Sequence, residues 1–315
     1  MKHGWSFYVI GDQKSPADFQ LSGCRFLAIA DQLRLPFRYS QLCPSNHYAR
    51  KNIGYLAAFR DGAKIIVDIG ETDDDNLPSE SFWAARQLTR KGALLTSTGW
   101  TNVFKLFTPT QIWPRGFPLS EIRQPVPSRC DLATVEVDCP IQQGLADGNP
   151  DVDAIYRLVF DHDTHFTAGE DVILGKNAWC PFNSQNTTWF DEVFPLLYLP
   201  AHCSFRMTDI WRSFVATRWL QEKNGKIAFH RATVYQERNP HNLMRDFADK
   251  VVGYLGNPDI KEVLENVPWS PNPEVFMHSA YTQLIKRGWV GEREAELLTA
   301  WFSDLADLGL KQRQD

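Results

Sequence analysis

AKIIVDIGETDDDN, residues 63–76, joins a short β-branched run to an acidic turn. Residues 63–69 (AKIIVDI) read as a buried strand: Ile and Val crowd onto it, and Gly70 closes it. Upstream, residues 46–60 carry a helical pattern, with Asn46 as N-cap, Ile53, Leu56, Ala57 and Phe59 turned inward, and Gly62 as the stop. Further back, residues 21–33 repeat Leu21, Cys24, Leu27 and Ala28 on one helical face. Residues 5–10 (WSFYVI) form a second apolar strand, closed by Gly11 and Asp12. Strand, helix, strand at this spacing predicts a parallel sheet with crossover helices, hence an α/β fold.

The chain downstream is less regular. Residues 96–186 are rich in Pro, Gly and short apolar pieces such as 103–107 and 133–137, which reads as short strands and loops. Residues 208–223 predict an amphipathic helix capped by Thr208, with Ile210, Trp211, Phe214, Val215 and Trp219 as its apolar stripe. Gly225 ends it and residues 226–235 return as a strand. From Asn242 the pattern is helical, with breaks expected at Gly256-Asn257-Pro258 and around 268–273. The expected division is a domain over 1–245 and a helical C-terminal extension over 246–315. In the extension, Trp289, Leu297, Leu298, Trp301, Phe302 and Leu305 recur at helical spacing. They fit packing against the first domain better than a partner or homo-oligomer surface.

Composition excludes several classes. The 315 residues are 43% hydrophobic and 23% charged, ordinary for a globular protein. A net charge of -5 argues against nucleic acid as a partner, because phosphate binding needs concentrated basic surface. No window approaches the roughly 18 apolar residues of a membrane helix, and the apolar part of the opening MKHGWSFYVIGDQ is too short for a signal peptide. Six scattered cysteines without a CxxC pair point to reduced thiols and a cytoplasmic location. Peripheral membrane association stays open.

The acidic run Asp73, Asp74 and Asp75 follows a buried strand, and open α/β sheets take ligands at strand carboxyl ends. Adjacent carboxylates on a turn suit Mn²⁺ or Mg²⁺, hard cations that also take phosphate oxygens. Such an ion neutralises a departing diphosphate. A solvated acidic turn is the competing reading, and the aspartates alone do not separate the two.

The surrounding sequence does. Arg50-Lys51-Asn52-Ile53-Gly54-Tyr55-Leu56 ahead of Asp73-Asp74-Asp75 resembles the reversibly glycosylated polypeptides, the UDP-arabinopyranose mutases. Further stretches resemble the STELLO glycosyltransferase-like proteins more closely. They are Trp113-Pro114-Arg115-Gly116-Phe117-Pro118-Leu119, then Gln143-Gly144-Leu145 leading to Asp151-Val152-Asp153-Ala154, then Pro181-Phe182-Asn183-Ser184-Gln185-Asn186-Thr187, and Ser204-Phe205-Arg206-Met207-Thr208-Asp209-Ile210-Trp211-Arg212. The matches keep their order over about residues 5–250.

The resemblance implies a GT-A-like (Rossmann-like) fold, a nucleotide-diphosphate sugar donor, UDP-linked, a divalent metal, and a glycan or other hydroxyl acceptor. Carried over by position, Asp73, Asp74 and Asp75 hold metal and diphosphate, while Arg50 and Lys51 face the donor's base or phosphates. Asp12 takes the place of a base contact. Arg115 matches the arginine that the mutases glycosylate; in a transferase its fork binds phosphate or sugar. Asp151 and Asp153 face sugar or acceptor, with helix capping as the alternative. Asp209 is the expected general base of an inverting transferase, and Arg212 its partner or a phosphate ligand. His241 is the expected late metal ligand, although the mutase histidine aligns with Gln236. Asp161-His162-Asp163-Thr164-His165 falls outside the matches and reads as a surface loop. A nucleotide-sugar mutase and a non-catalytic partner of a glycan synthase remain the rival functions.

Overall fold

The computed structural model describes residues 4–16, 18–70, 74–160, 162–238 and 242–310, side chains excepted at 74–76 and 238. Twelve strands in chain order are β1 (Phe7–Ile10), β2 (Cys24–Leu27), β3 (Ile65–Ile69), β4 (Asp74–Pro78), β5 (Thr89–Leu95), β6 (Gly99–Trp100), β7 (Thr134–Asp138), β8 (Ile141–Gly148), β9 (Asp171–Leu174), β10 (Ala178–Trp179), β11 (Asn186–Phe190) and β12 (Ile227–Arg238) among the described residues. The helices are α1 (Ile29–Arg34), α2 (Arg38–Leu42), α3 (Lys51–Arg60), α4 (Ala154–Val159), α5 (Thr208–Glu222), α6 (Leu243–Glu265), α7 (Pro273–Lys286) and α8 (Glu294–Asp307).

The class is α/β, but the sheet is mixed. Seven strands follow the order β3-β11-β8-β12-β9-β5-β7, and β4 pairs with β12 as the eighth. β3 pairs antiparallel with β11, whereas β1 pairs in parallel only with β2 in a small separate sheet. The expected strand–helix–strand ladder therefore does not close into one parallel sheet. β8 and β12, in contrast, are parallel neighbours joined by a long crossover that includes α5.

Local departures have local causes. The predicted helix at 21–33 splits into β2 and α1. Within β2 only Leu27 is buried, its strand being closed by the amide of Gly11 donating to the Leu27 carbonyl at 2.9 Å. Helix α3 starts later than expected, at Lys51, behind a 3₁₀ turn capped by the His47 ring rather than by Asn46. Gly62 stops it at φ 85°, as its lack of Cβ allows. Thr208 opens α5 but makes no cap bond. Gly256-Asn257-Pro258 does not break α6: the helix runs through Pro258, and a Cβ on Gly256 would lie 2.8 Å from Trp289 Nε1. The small residue there admits the indole.

Helix α5 is buried all round except at Glu222, so its polar side is not a solvated face. Its apolar stripe packs in the main core, and Asp209, Arg212, Arg218 and Gln221 find partners inside. Trp301, Leu297, Tyr281 and Phe276 of α7 and α8 belong to that same core. Asp304 on α8 accepts the amides of Arg38 and Tyr39 at 2.8 Å each, fixing α2.

Candidate functional site

Strands β3, β8 and β12 point the same way, because β11 is antiparallel to β3 and β8 while β12 is parallel to β8. Their carboxyl ends thus leave one end of the sheet. There β3 runs toward the acidic run, β8 leads through Asp151 into α4, and β12 runs toward residue 239. Strand β4 lays the backbone of Asp74, Asp75 and Asn76 opposite Arg238, Glu237 and Gln236. Asp73 and His241 lie outside the described residues, as do the side chains of Asp74 and Asp75. Three consecutive carboxylates are a hard-oxygen donor set that fits Mn²⁺ or Mg²⁺. Among the described residues no group of three metal-ligating side chains comes together.

Under this end of the sheet lies a buried chain of charges. Arg115 Nε donates to both oxygens of Asp151 at 2.7 and 2.9 Å, and its Nη2 donates to Asp151 and Asp209, each at 2.7 Å. Nη1 donates to Asp209 at 2.8 Å and to the Arg206 carbonyl at 2.6 Å. A guanidinium has five N–H groups, and every one has an acceptor. Burial opposes its charge, but Asp151 and Asp209 outweigh that and raise its pKa well above the usual arginine value. Burial likewise pushes the Asp151 carboxyl up, and Arg115 more than reverses this, holding it below the usual range.

Ser184 links this cluster to a second one. Its amide donates to Asp209 at 3.1 Å, and its hydroxyl accepts from Arg212 Nη2 at 2.6 Å. Arg212 stacks 4.8 Å over Trp189 and donates from Nη1 to Asp68 at 3.2 Å. Asp68, fully buried on β3, also pairs with Lys51 Nζ. Burial pushes the Asp68 carboxyl up, but Lys51 and Arg212 outweigh it and keep the group ionised below its usual range. Lys51 retains 23% side-chain exposure and lies beside Tyr48, 4.9 Å from the ring centroid. It is the cation of this network with most access to a ligand.

A third group stands behind Arg115. Lys250 is buried, with Asp151, Asp153 and Asp246 as the carboxylates facing it and Arg115 as the facing cation; its Nζ donates to the Val152 carbonyl at 3.5 Å. Burial, then Arg115, lowers its pKa to about 8. Desolvation raises the carboxyl of Asp153, which caps α4 through the Ile155 amide at 2.8 Å and accepts from Tyr254 at 3.0 Å.

The structure gives the expected site residues the following partners. Asp209, the expected base, is 1% exposed, with Oδ1 accepting from Arg115 and Oδ2 from Arg115 and the Ser184 amide. Arg115 is 6% exposed and saturated, which leaves no nitrogen free for a sugar. Arg50 faces inward: it donates to the carbonyls of Cys43 and Pro44 at 3.1 and 3.3 Å and to Gln32, bracing that loop rather than a donor. Asp12 accepts amides from Gln13, Asn46 and His47, tying the end of β1 to the loop before α3. Asp153 is a helix cap, and Asp151 a ligand of Arg115. Gln236, where the mutase histidine aligns, accepts from Gln185. Thr164, in the segment read as a surface loop, bridges Gly148 at the end of β8.

Asp68, Ser184 and Lys250 were not singled out from sequence. Asp68 left a signal, since an acid in a buried strand needs a partner. Lys250 left none, as it sits at ordinary helical spacing among Asp246 and Asp249.

The motifs' likeness to STELLO proteins is borne out by comparison. Residues 206–314 match the family model of the STELLO glycosyltransferases. The chain is 28% identical over 332 positions to the Arabidopsis thaliana protein named Probable glycosyltransferase STELLO2. It is 27% identical over 335 positions to Probable glycosyltransferase STELLO1 of the same plant. Both alignments cover 98% of this chain and 42% of the relative, so the chain spans less than half the length of these curated relatives. Among the described residues, no helix is long and apolar enough to cross a membrane.

Proposed function

We propose that this chain is a GT-A-type glycosyltransferase domain that moves a sugar from a nucleotide-diphosphate donor, UDP-linked, to an acceptor hydroxyl. The observation that carries the reading is that β4 lays the backbone of Asp74 and Asp75 along the carboxyl-terminal part of β12, at the end of the sheet toward which β3 also runs with Asp68, the carboxylate that Lys51 and Arg212 pair with. Asp73 and Asp75, with His241, would hold Mn²⁺ or Mg²⁺, which when bound supplies Lewis-acid neutralisation of the leaving diphosphate. Lys51 adds a movable positive charge for the same phosphates, while Arg212 keeps Asp68 compensated when Lys51 turns away. Arg115 is a positioning residue: clamped by Asp151 and Asp209, it fixes the start of α5 against the loop after β8.

The saturated, buried Arg115 weighs against the mutase reading, in which this arginine would have to carry the sugar. The test is a thermal-shift screen of nucleotide sugars with and without Mn²⁺, on the wild type and on Asp73→Ala/Asp75→Ala. It is read together with release of nucleoside diphosphate. Metal-dependent stabilisation by one nucleotide family, with slow donor hydrolysis, both lost in the variant, is expected. Ring interconversion without release would instead establish a mutase. Binding of no donor under either condition would leave a non-catalytic partner of a glycan synthase.

A further inference from the structure

The face of the sheet turned away from Asp68 carries a cluster of arginines. Thr187 lies opposite Asp68 across the β3–β11 pair and shares its face, so the next residue, Thr188, points to the other side. Arg86 is anchored there. Its Nε donates to Thr188 Oγ1 at 3.1 Å and its Nη1 to the Ala84 carbonyl at 2.7 Å, while the rings of Trp5 and Phe82 lie 5.4 and 5.2 Å from the guanidinium carbon. These contacts hold the guanidinium still and leave Nη2 without an acceptor among the described residues. Arg86 has no carboxylate partner there either; burial, and then Arg90, disfavours its charge.

Beside it, His230 sits at the bulge of β12. Gly144 on β8 makes room for its ring, since a Cβ at that position would lie 2.6 Å from His230 Cε1. His230 is 9% exposed. Its Nδ1 meets the Arg231 carbonyl at 2.9 Å. A carbonyl only accepts, so Nδ1 carries the proton, and Nε2 has no hydrogen-bond partner among the described residues. Burial, and then Arg90, Arg86 and Arg231, lowers the pKa of the ring to about 4.

Only part of this positive charge is answered. Arg90 donates to Asp171 from Nε at 2.6 Å and pairs with it through Nη2 at 2.5 Å, keeping 28% side-chain exposure. Arg231 also faces Asp171, yet it is exposed and has no ion pair among the described residues. Arg129, a further cation near Asp171, has Glu170 beside it. Three guanidiniums against the carboxylate of Asp171 leave an excess of about two positive charges around a neutral, buried imidazole. The planar forks of arginine match the oxygens of a phosphate, and a dianion balances an excess that a single carboxylate does not.

We propose that Arg86, Arg90 and Arg231, gathered around His230, form a binding site for a doubly charged phosphate group, on the opposite face of the sheet from Asp68 and Lys51. The site stands whether or not the chain transfers sugars.

Isothermal titration calorimetry with inorganic phosphate, to about 10 mM in a phosphate-free buffer, tests this on the whole chain and on Lys51→Met, which removes the accessible cation of the donor end. A Kd of about 1 mM or tighter is expected for both. Arg86→Gln should weaken binding by about tenfold or more, and Arg231→Gln severalfold. Arg231 is exposed and unpaired, so misfolding does not account for a loss at that position. Flotation with vesicles containing phosphatidic acid, abolished by Arg86→Gln, would identify the phosphate as a lipid headgroup; titration without flotation would identify it as a free phosphate group. Heat that disappears in Lys51→Met would put the phosphate at the donor end and overturn the site. So would heat that neither arginine substitution changes, or the absence of both heat and flotation.

Discussion

Asp209→Ala separates a clamp from a base. In the structure this carboxylate accepts from two nitrogens of Arg115 and from the Ser184 amide, with almost no access to water. Truncation leaves two guanidinium donors and one amide without acceptors in a buried site, with half of the Arg115 charge compensation gone. Breaking a buried ion pair from one side destabilises by about 3–5 kcal/mol. At about 2.1 cal/mol/K per residue, 315 residues carry an unfolding entropy near 0.66 kcal/mol/K, so the midpoint should fall by about 5–8 °C. Urea unfolding followed by tryptophan fluorescence gives the free energy, and a thermal scan the midpoint. Arg115→Met added to Asp209→Ala should cost less than the sum of the single changes, because the second substitution removes the stranded cation. A variant that loses donor turnover yet stays within about 1 kcal/mol of wild-type stability would refute this reasoning. It would return Asp209 to the role of a free catalytic carboxylate.

Two further outcomes follow from the same region. Folded Lys250 releases its proton at about pH 8, against 10.5 for an ordinary lysine, so between these values the unfolded chain holds the extra proton and stability rises with pH. Its contribution is at most about 1.4 kcal/mol per pH unit; the stability difference between wild type and Lys250→Met, measured in urea at pH 7, 8.5 and 10, should grow in favour of wild type, and a flat difference would remove the lysine as its source. Gly116 has φ 83° and its absent Cβ would lie 2.3 Å from Ile210 Cγ2 on α5. Gly116→Ala should therefore lower stability by about 2–4 kcal/mol, seen as a depressed melting midpoint, whereas a neutral substitution would mean that the turn after Arg115 relaxes freely.

The sequence by itself determined the strongly patterned elements. β3, the end of α3 at its Gly62 stop, α5 and β12 lie close to where periodicity and turn residues put them, because the pattern within each is local. It also determined the family likeness and the strand after which the acidic run stands. Only the tertiary structure decided which strands pair, since a strand's pattern states that it is buried but not beside whom; hence β3 lies beside β11 rather than β1. Only the fold, too, decided what the charged residues do. Arg115, Asp151 and Asp209 are 36 and 94 positions apart in the chain yet share five hydrogen bonds, Asp68 reaches Arg212 across 144 positions, and Arg50 turns inward while its neighbour Lys51 does not. A motif names the side chain available at a position. Whether it meets a ligand or another side chain depends on which distant segments bring their charges beside it, and burial makes such charges pair rather than stand alone.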